Sequence, residues 1–167
     1  ILDASFEKID ALKKNAEENL ANAKALFQQV LAQELKPKEG WVERILGEVC
    51  EKITDGSHNP PKGIEYSEYR MLSSQNVYDG YLLTEPVRYL KKEDFENENK
   101  RTNAQTGDVL LTIVGTIGRT CVLSGNESNI TFQRSVAILR PKNDRDSYYL
   151  MYYLISQNKN LNIKSQG

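Results

Sequence analysis

Gly107-Asp108-Val109-Leu110-Leu111-Thr112-Ile113-Val114 runs straight into Gly115-Thr116-Ile117-Gly118-Arg119. Val109–Val114 is an unbroken apolar run rich in β-branched residues, and predicts a buried strand. The two glycines around Thr116-Ile117 break it, and Thr120–Leu123 predicts a returning strand. Further along, Ser124-Gly125-Asn126 is a turn signal and Ser135–Leu139 predicts another strand, closed by Pro141. Tyr148–Ile155 is dense in aromatic and aliphatic residues. It reads as a helix, because its polar flank Ser156-Gln157-Asn158 continues without a breaker. From Trp41 onward the chain therefore reads as a mixed α/β domain of ordinary size.

Upstream the texture is different. Residues 1–36 contain no Gly or Pro and are rich in Ala, Lys, Glu, Gln and Leu, the strong helix formers. Leu2, Phe6, Ile9, Lys13, Ala16, Leu20, Ala23, Phe27, Val30 and Glu34 follow at alternating spacings of four and three, a coiled-coil heptad with two polar interruptions. Such a helix extends roughly 50 Å and cannot cover its own stripe. Phe6, Ile9, Leu20, Phe27 and Val30 are thus expected to form an interface with another helix. Pro37 and Gly40 stop it. The expected fold class is α+β: a spacer helix over 1–36, a linker over 37–40 and a mixed domain over 41–167.

Composition narrows the function classes. The 167 residues carry 22 Lys and Arg against 23 Asp and Glu, with 39% hydrophobic residues. That describes a chain with a core rather than a disordered tail. No segment has the apolar length of a membrane span, and the expected home is the cytoplasm. Cys50 and Cys121 are too few for a disulfide framework and lack metal-ligand spacing, so they read as small buried hydrophobes. Beyond residue 36 the two charge signs balance at 17 each. Any affinity for nucleic acid must therefore come from a local patch or from partners, since phosphate neutralisation normally shows as a basic excess.

Three segments carry a family resemblance. They are Gly40-Trp41 to Val49 followed by Ile53-Thr54-Asp55-Gly56-Ser57-His58-Asn59-Pro60-Pro61; the Gly107–Arg119 stretch above; and Thr131-Phe132-Gln133-Arg134-Ser135-Val136-Ala137-Ile138-Leu139-Arg140-Pro141. In this order, behind a helix containing Asn15-Ala16-Glu17-Glu18-Asn19-Leu20, the chain resembles type I restriction-modification specificity subunits: one spacer helix and one target-recognition domain. The resemblance implies a subunit that reads one half of a split double-stranded DNA target. It also implies a scaffold for methyltransferase subunits that modify adenine, joined by restriction subunits that cut. It implies as well a truncated or half-subunit, with the recognition domain incomplete at its C-terminus, and a possible homodimer through the helix.

Catalysis is not expected of the chain itself. Asn59-Pro60-Pro61-Lys62 is close to the N-P-P-aromatic loop of adenine methyltransferases, but Lys62 replaces the ring that would stack a flipped base. No glycine-rich strand-to-helix turn for S-adenosylmethionine accompanies it, so no cofactor is expected. Gly115-Thr116-Ile117-Gly118 lacks the second half of either nucleotide-binding pattern and reads as a strand-connecting turn. His58 is the only histidine, which leaves no second imidazole for a metal site.

The expected DNA contacts are Lys91, Lys92, Lys100, Arg101, Arg119 and Arg134, with His58 and Asn59 beside them. Gln133 and Arg134 have the chemistry to read adenine and guanine. The resemblance nonetheless implies a backbone role for their segment and puts specificity in stretches such as Tyr78–Asn103. The rival expectation is a coiled-coil assembly or regulatory protein whose C-terminal domain binds protein.

Overall fold

The computed structural model describes residues 2–125, 127–143 and 146–164. Ile1, Asn126 of the expected turn and the terminal Ser165-Gln166-Gly167 lie outside the described residues, as does the side chain of Leu2. Two compact units divide the chain at Trp41 and Val42.

The first unit is α1 (Leu2–Glu34), one uninterrupted helix of 33 residues, followed by a short tail. It ends where Pro37 prevents continuation; Leu35 N–H still donates to the Leu31 carbonyl at 2.9 Å. Gly40 then turns the chain at φ +83°, and the Lys38 ammonium sits 5.8 Å above the Trp41 ring. Phe6, Ile9, Leu20, Phe27 and Val30 are all exposed on this helix.

The second unit begins with α2 (Leu46–Val49) and β1 (Cys50–Asp55), then β2 (Arg70–Leu72), β3 (Val77–Tyr78), β4 (Tyr81–Leu82) and β5 (Arg88–Tyr89). It continues through α3 (Lys92–Thr102), β6 (Val109–Thr112), β7 (Thr120–Val122), β8 (Ile130–Phe132), β9 (Val136–Pro141) and α4 (Ser147–Lys164). Strands β1-β9-β6-β7 form an antiparallel sheet, β5-β2-β8 a mixed one with β2 parallel to β8, and β3-β4 a hairpin. The whole is α+β. Leu72, Leu110, Cys121, Phe132, Val136 and Ile138 meet between the two larger sheets. α4, helical as expected, packs against β6 and β7 and buries Leu150, Met151, Leu154 and Ile155. With both faces covered, β6 is buried at every position, which is why its sequence is an apolar run and not an alternation.

The apolar run outlasts its strand. β6 ends at Thr112, and Ile113 and Val114 are exposed in the loop that follows. The cause is Thr112: its hydroxyl donates to the Thr116 carbonyl and accepts from Arg119 N–H at 2.9 Å. Gly118 N–H closes on the Thr112 carbonyl at 2.9 Å, and Gly115 and Gly118 both take positive φ. At Gly118 the φ of +95° favours glycine, and a Cβ there would also push aside the Asn158 side-chain amide of α4, 2.1 Å away.

At the opposite end of the sheet, Asp108 is fully buried just before β6. Arg140 of β9 grips it with two bonds, Nε to Oδ1 at 2.7 Å and Nη2 to Oδ2 at 2.9 Å. Gln105 N–H adds a third at 2.7 Å, and Arg140 Nη2 also donates to the Asn103 carbonyl at 2.8 Å. This bidentate pair explains both the acidic residue after Gly107 and the arginine near the end of β9. Asp108→Ala strands Arg140 beside unsatisfied buried groups, so we expect a loss of about 3–5 kcal/mol in urea-induced unfolding. A variant within about 0.5 kcal/mol of the parent would show that the pair does not hold the sheet.

Candidate nucleic-acid interface

Strand directions bring six chain segments to one end of the sheets. β1 and β6 both run antiparallel to β9, so their last residues, Asp55 and Thr112, pair with Ala137 and Val136 at its start. β7 begins there too, with Thr120 opposite Leu111. β8 enters β9 through Gln133-Arg134-Ser135, and β2, parallel to β8, ends beside it at Leu72. The loops after β1, β2 and β6 and the β8–β9 turn therefore share one end.

Backbone hydrogen bonds fix that cluster. Ser57 N–H donates to the Phe132 carbonyl at 2.8 Å, and Arg134 N–H returns to the Ser57 carbonyl at 2.9 Å. Gln133 N–H donates to Leu72 at 2.8 Å, while the Ser135 carbonyl accepts from Ile113 N–H at 2.9 Å. The Ser135 hydroxyl accepts from Ser74 N–H at 3.0 Å. Gly56 passes so close that a Cβ would sit 2.1 Å from the Phe132 carbonyl oxygen. Gln133 and Arg134 thus use their backbones to tie the loops, which frees their side chains. Arg134 is exposed, and Gln133 lines a cavity of ≈ 370 Å³ with Ser73, Gln75, Asn76 and Arg88.

The sequence-derived site residues divide into groups. Arg101, at the last turn of α3, forms an ion pair with Asp55, and His58 Nε2 lies 2.6 Å from the other Asp55 oxygen. The fold thereby brings Arg101, His58, Asn59 and Arg134 to one region. Burial alone would raise the pKa of Asp55, but the His58 hydrogen bond and the Arg101 charge outweigh it and hold the carboxyl below its ordinary value. Lys100 is exposed nearby on α3, with its ammonium 3.3 Å from Asn97 Oδ1.

Lys91 and Lys92 stand at the other end of α3, as N-cap and first residue. Nine positions separate Lys92 from Arg101, roughly 14 Å and two and a half turns of helix, so the four cations form two pairs at the two ends of α3 and not one cluster. Lys92 pairs at 3.8 Å with exposed Glu96. Acidic Glu93 and Asp94 in the first turn and basic Lys100 and Arg101 in the last follow the helix dipole, which gives their order a structural reason as well.

Arg119 occupies the start of β7's approach, where its guanidinium carbon lies 4.6 Å from the centre of the Tyr78 ring. Sequence reasoning did not single out Tyr78, Asp55 or Gln75 individually. The first two owe their roles to partners 41 and 46 residues away, beyond any local pattern. Asn59-Pro60-Pro61-Lys62 is a surface segment in which the Pro61 carbonyl accepts from Arg88 Nη1 at 3.1 Å. Burial pushes the Cys121 thiol up to about 12 and raises that of Cys50, so neither is poised as a nucleophile. Among the described residues, no three His, Cys, Asp or Glu side chains group as a metal site, and no helix is long and apolar enough to cross a membrane.

The family model for the type I restriction modification DNA specificity domain matches residues 38–167. The solved structure of the HsdS subunit from Thermoanaerobacter tengcongensis is similar in fold, with a TM-score of 0.56 at 22% identity over 95% of this chain and 39% of that one. A chain from the structure described as "Structural basis underlying complex assembly and conformational transition of the type I R-M system" gives a TM-score of 0.61 at 23% identity, over 95% and 40%. This chain thus spans about two-fifths of the length of those solved chains. No curated protein matches it. The family match favours DNA over protein as the ligand of the second unit.

The Asp55 network sets a pH dependence whose sign follows from its depressed pKa. Stabilisation by Arg101 and His58 is full above the unfolded carboxyl value of about 3.9 and fades as pH falls through the lower folded value. Asp55→Asn should therefore lower stability near neutral pH and flatten the acid limb of a stability–pH curve measured by urea unfolding. Parallel curves for parent and variant below about pH 4 would mean that the network adds nothing to the fold.

Proposed function

The chain belongs to the type I restriction modification DNA specificity domain family, and from that premise we propose that its second unit reads one half of a split double-stranded DNA target. The observation that carries this reading is the convergence of the strand-end loops, with Arg101, Arg119, Arg134, His58 and Asn59 presented from one end of the sheets. Base readers must be held in register with one another, and loops tied at a common turn meet that requirement. Phosphate contacts position the reader, and the two cation pairs at the ends of α3, Lys91 with Lys92 and Lys100 with Arg101, supply charge for them. Their pairings with Glu96 and Asp55 are partly or fully exposed, so exchanging a carboxylate for a phosphate costs little.

Catalysis, in this reading, belongs to partners. The domain over 41–167 supplies sequence choice, methyltransferase subunits supply adenine methylation, and restriction subunits supply cleavage. The spacer helix over 1–36, joined by the linker 37–40, sets the distance to the other half-site by packing on a second helix, from another part of the complex or another copy of the chain. Cellular DNA as substrate assigns the work to the cytoplasm.

Two experiments test this. Changing Lys91, Lys92, Lys100 and Arg101 together to Ala should reduce the slope of log affinity against log salt by roughly three to four, at about 0.9 per phosphate, with sequence preference retained. A parental slope in that variant would remove α3 from the interface. For the helix, Leu20→Asp with Phe27→Asp puts charges into an apolar seam at several kcal/mol per buried charge. Light scattering should then show the assembled species falling to the single-chain mass. An unchanged mass with helix content intact would mean that another surface holds the assembly.

A further inference from the structure

Resting on the DNA-reading proposal, we propose that Arg119 is a guanine-reading, specificity-determining residue and that Tyr78 is the residue that positions it. The juxtaposition begins with a hairpin. Tyr78-Asp79-Gly80-Tyr81 joins β3 to β4 through a two-residue Asp-Gly turn, with Gly80 at φ +85° and Tyr78 opposite Tyr81. The two tyrosine rings stack, 5.0 Å apart and 8° from parallel.

That hairpin is bolted to the residue after Arg119. Thr120 N–H donates to Asp79 Oδ1 at 3.1 Å, and Gly80 N–H donates to the Thr120 carbonyl at 2.9 Å. The Arg119 main chain is fixed from the other side by Thr112, whose hydroxyl accepts its N–H at 2.9 Å. Backbone and ring platform are therefore both set before any ligand arrives. The guanidinium carbon lies 4.6 Å from the Tyr78 ring centre, which restrains the plane of the fork.

Among the described residues, no carboxylate pairs with Arg119 and no acceptor receives its guanidinium N–H groups, unlike Arg101 on Asp55 and Arg140 on Asp108. A half-buried guanidinium with a restrained plane and unspent donors is built for a planar, paired acceptor. The O6 and N7 edge of guanine is one such pair. A phosphate could also take the fork, but the surroundings favour a base. The exposed neighbours on the same loop are Ile113 and Val114, at 38% and 47% exposure, with Gly115 and Thr116 beside them, and no further cation. Apolar side chains beside an arginine suit a groove wall with thymine methyl groups; a phosphate grip gathers charge and backbone amides.

The test is a randomised-duplex selection on the chain assembled with its modification subunits, read together with the salt dependence of binding to the selected duplex. The parent should enrich a motif containing guanine at a position that Arg119→Ala and Arg119→Lys both relax, by roughly 5- to 150-fold in relative affinity. Arg119→Lys keeps the charge, so its salt slope should match the parent while guanine preference is lost. Tyr78→Leu should relax the same single position, and Tyr78→Phe, which keeps the ring, should restore it. A slope reduced by about 0.9 in Arg119→Ala with the motif intact would make Arg119 a phosphate contact and overturn the proposal. So would a motif unchanged in all four variants. A parent that enriches no motif would instead sink the DNA-reading proposal itself, and this one with it.

Discussion

Gln133-Arg134-Ser135 is the knot on which this end of the domain hangs. Three residues of backbone close the β8–β9 turn and also bond to segments that follow β1, β2 and β6. Buried peptide groups must be paired, so each loop that reaches this turn is fixed to it by the cost of leaving a donor or acceptor bare. Gly56 shows how tight the fit is, since even one carbon added there would meet the Phe132 carbonyl. A surface assembled from loops becomes, through one turn, a rigid one.

The knot has a counterpart at the far end of β9. There Asp108 and Arg140 meet in a pair that is nearly dry on the acid's side, 1% against 16% exposed. A buried carboxylate without its guanidinium would be untenable, so β6 and β9 cannot slip relative to each other. One strand is thus anchored twice: by charge at its exit and by backbone bonds at its entry. The proposed DNA-reading role needs a fixed frame and free side chains. Here the frame uses main chain and one buried ion pair, leaving Arg119, Arg134 and Gln133 to face outward.

How much of this was legible depended on distance along the chain. The helix of residues 1–36 and the strand at Val109 were plain, because heptad spacing and an apolar run are local signals. The apolar pattern of Ile113 and Val114 extends two residues past the strand, because the hydroxyl of Thr112 has already turned the backbone. The Asp79-Gly80 hairpin was a local signal too, and went unread between two short strands. α3 hid for a different reason: with only Phe95 and Thr102 buried, its charged sequence carries almost no apolar period and reads as solvated surface. Asp55 with Arg101, and Asp108 with Arg140, could not be read at all. Their partners lie 46 and 32 residues away, and only the packing of α3 on β1 and the pairing of β6 with β9 make them neighbours.

On the DNA-reading proposal, the near-neutral charge of the chain, at −1, acquires a physical meaning. A basic excess would give affinity for any duplex, screened by salt and indifferent to sequence. Here several arginines already have partners that fix their geometry. Arg140 is committed to Asp108 and its pKa is raised by those bonds, so it serves the frame. Arg101 shares Asp55 with His58 at the surface, where a phosphate can compete for it. Arg119 rests on a ring, which orients the group without using up its hydrogen-bond donors. Buried carboxylate, half-buried carboxylate and aromatic face form a gradient of commitment, from structural through exchangeable to available. A domain that discriminates between sequences gains more from a few oriented donors than from many mobile charges, because only oriented donors are worth less on the wrong base.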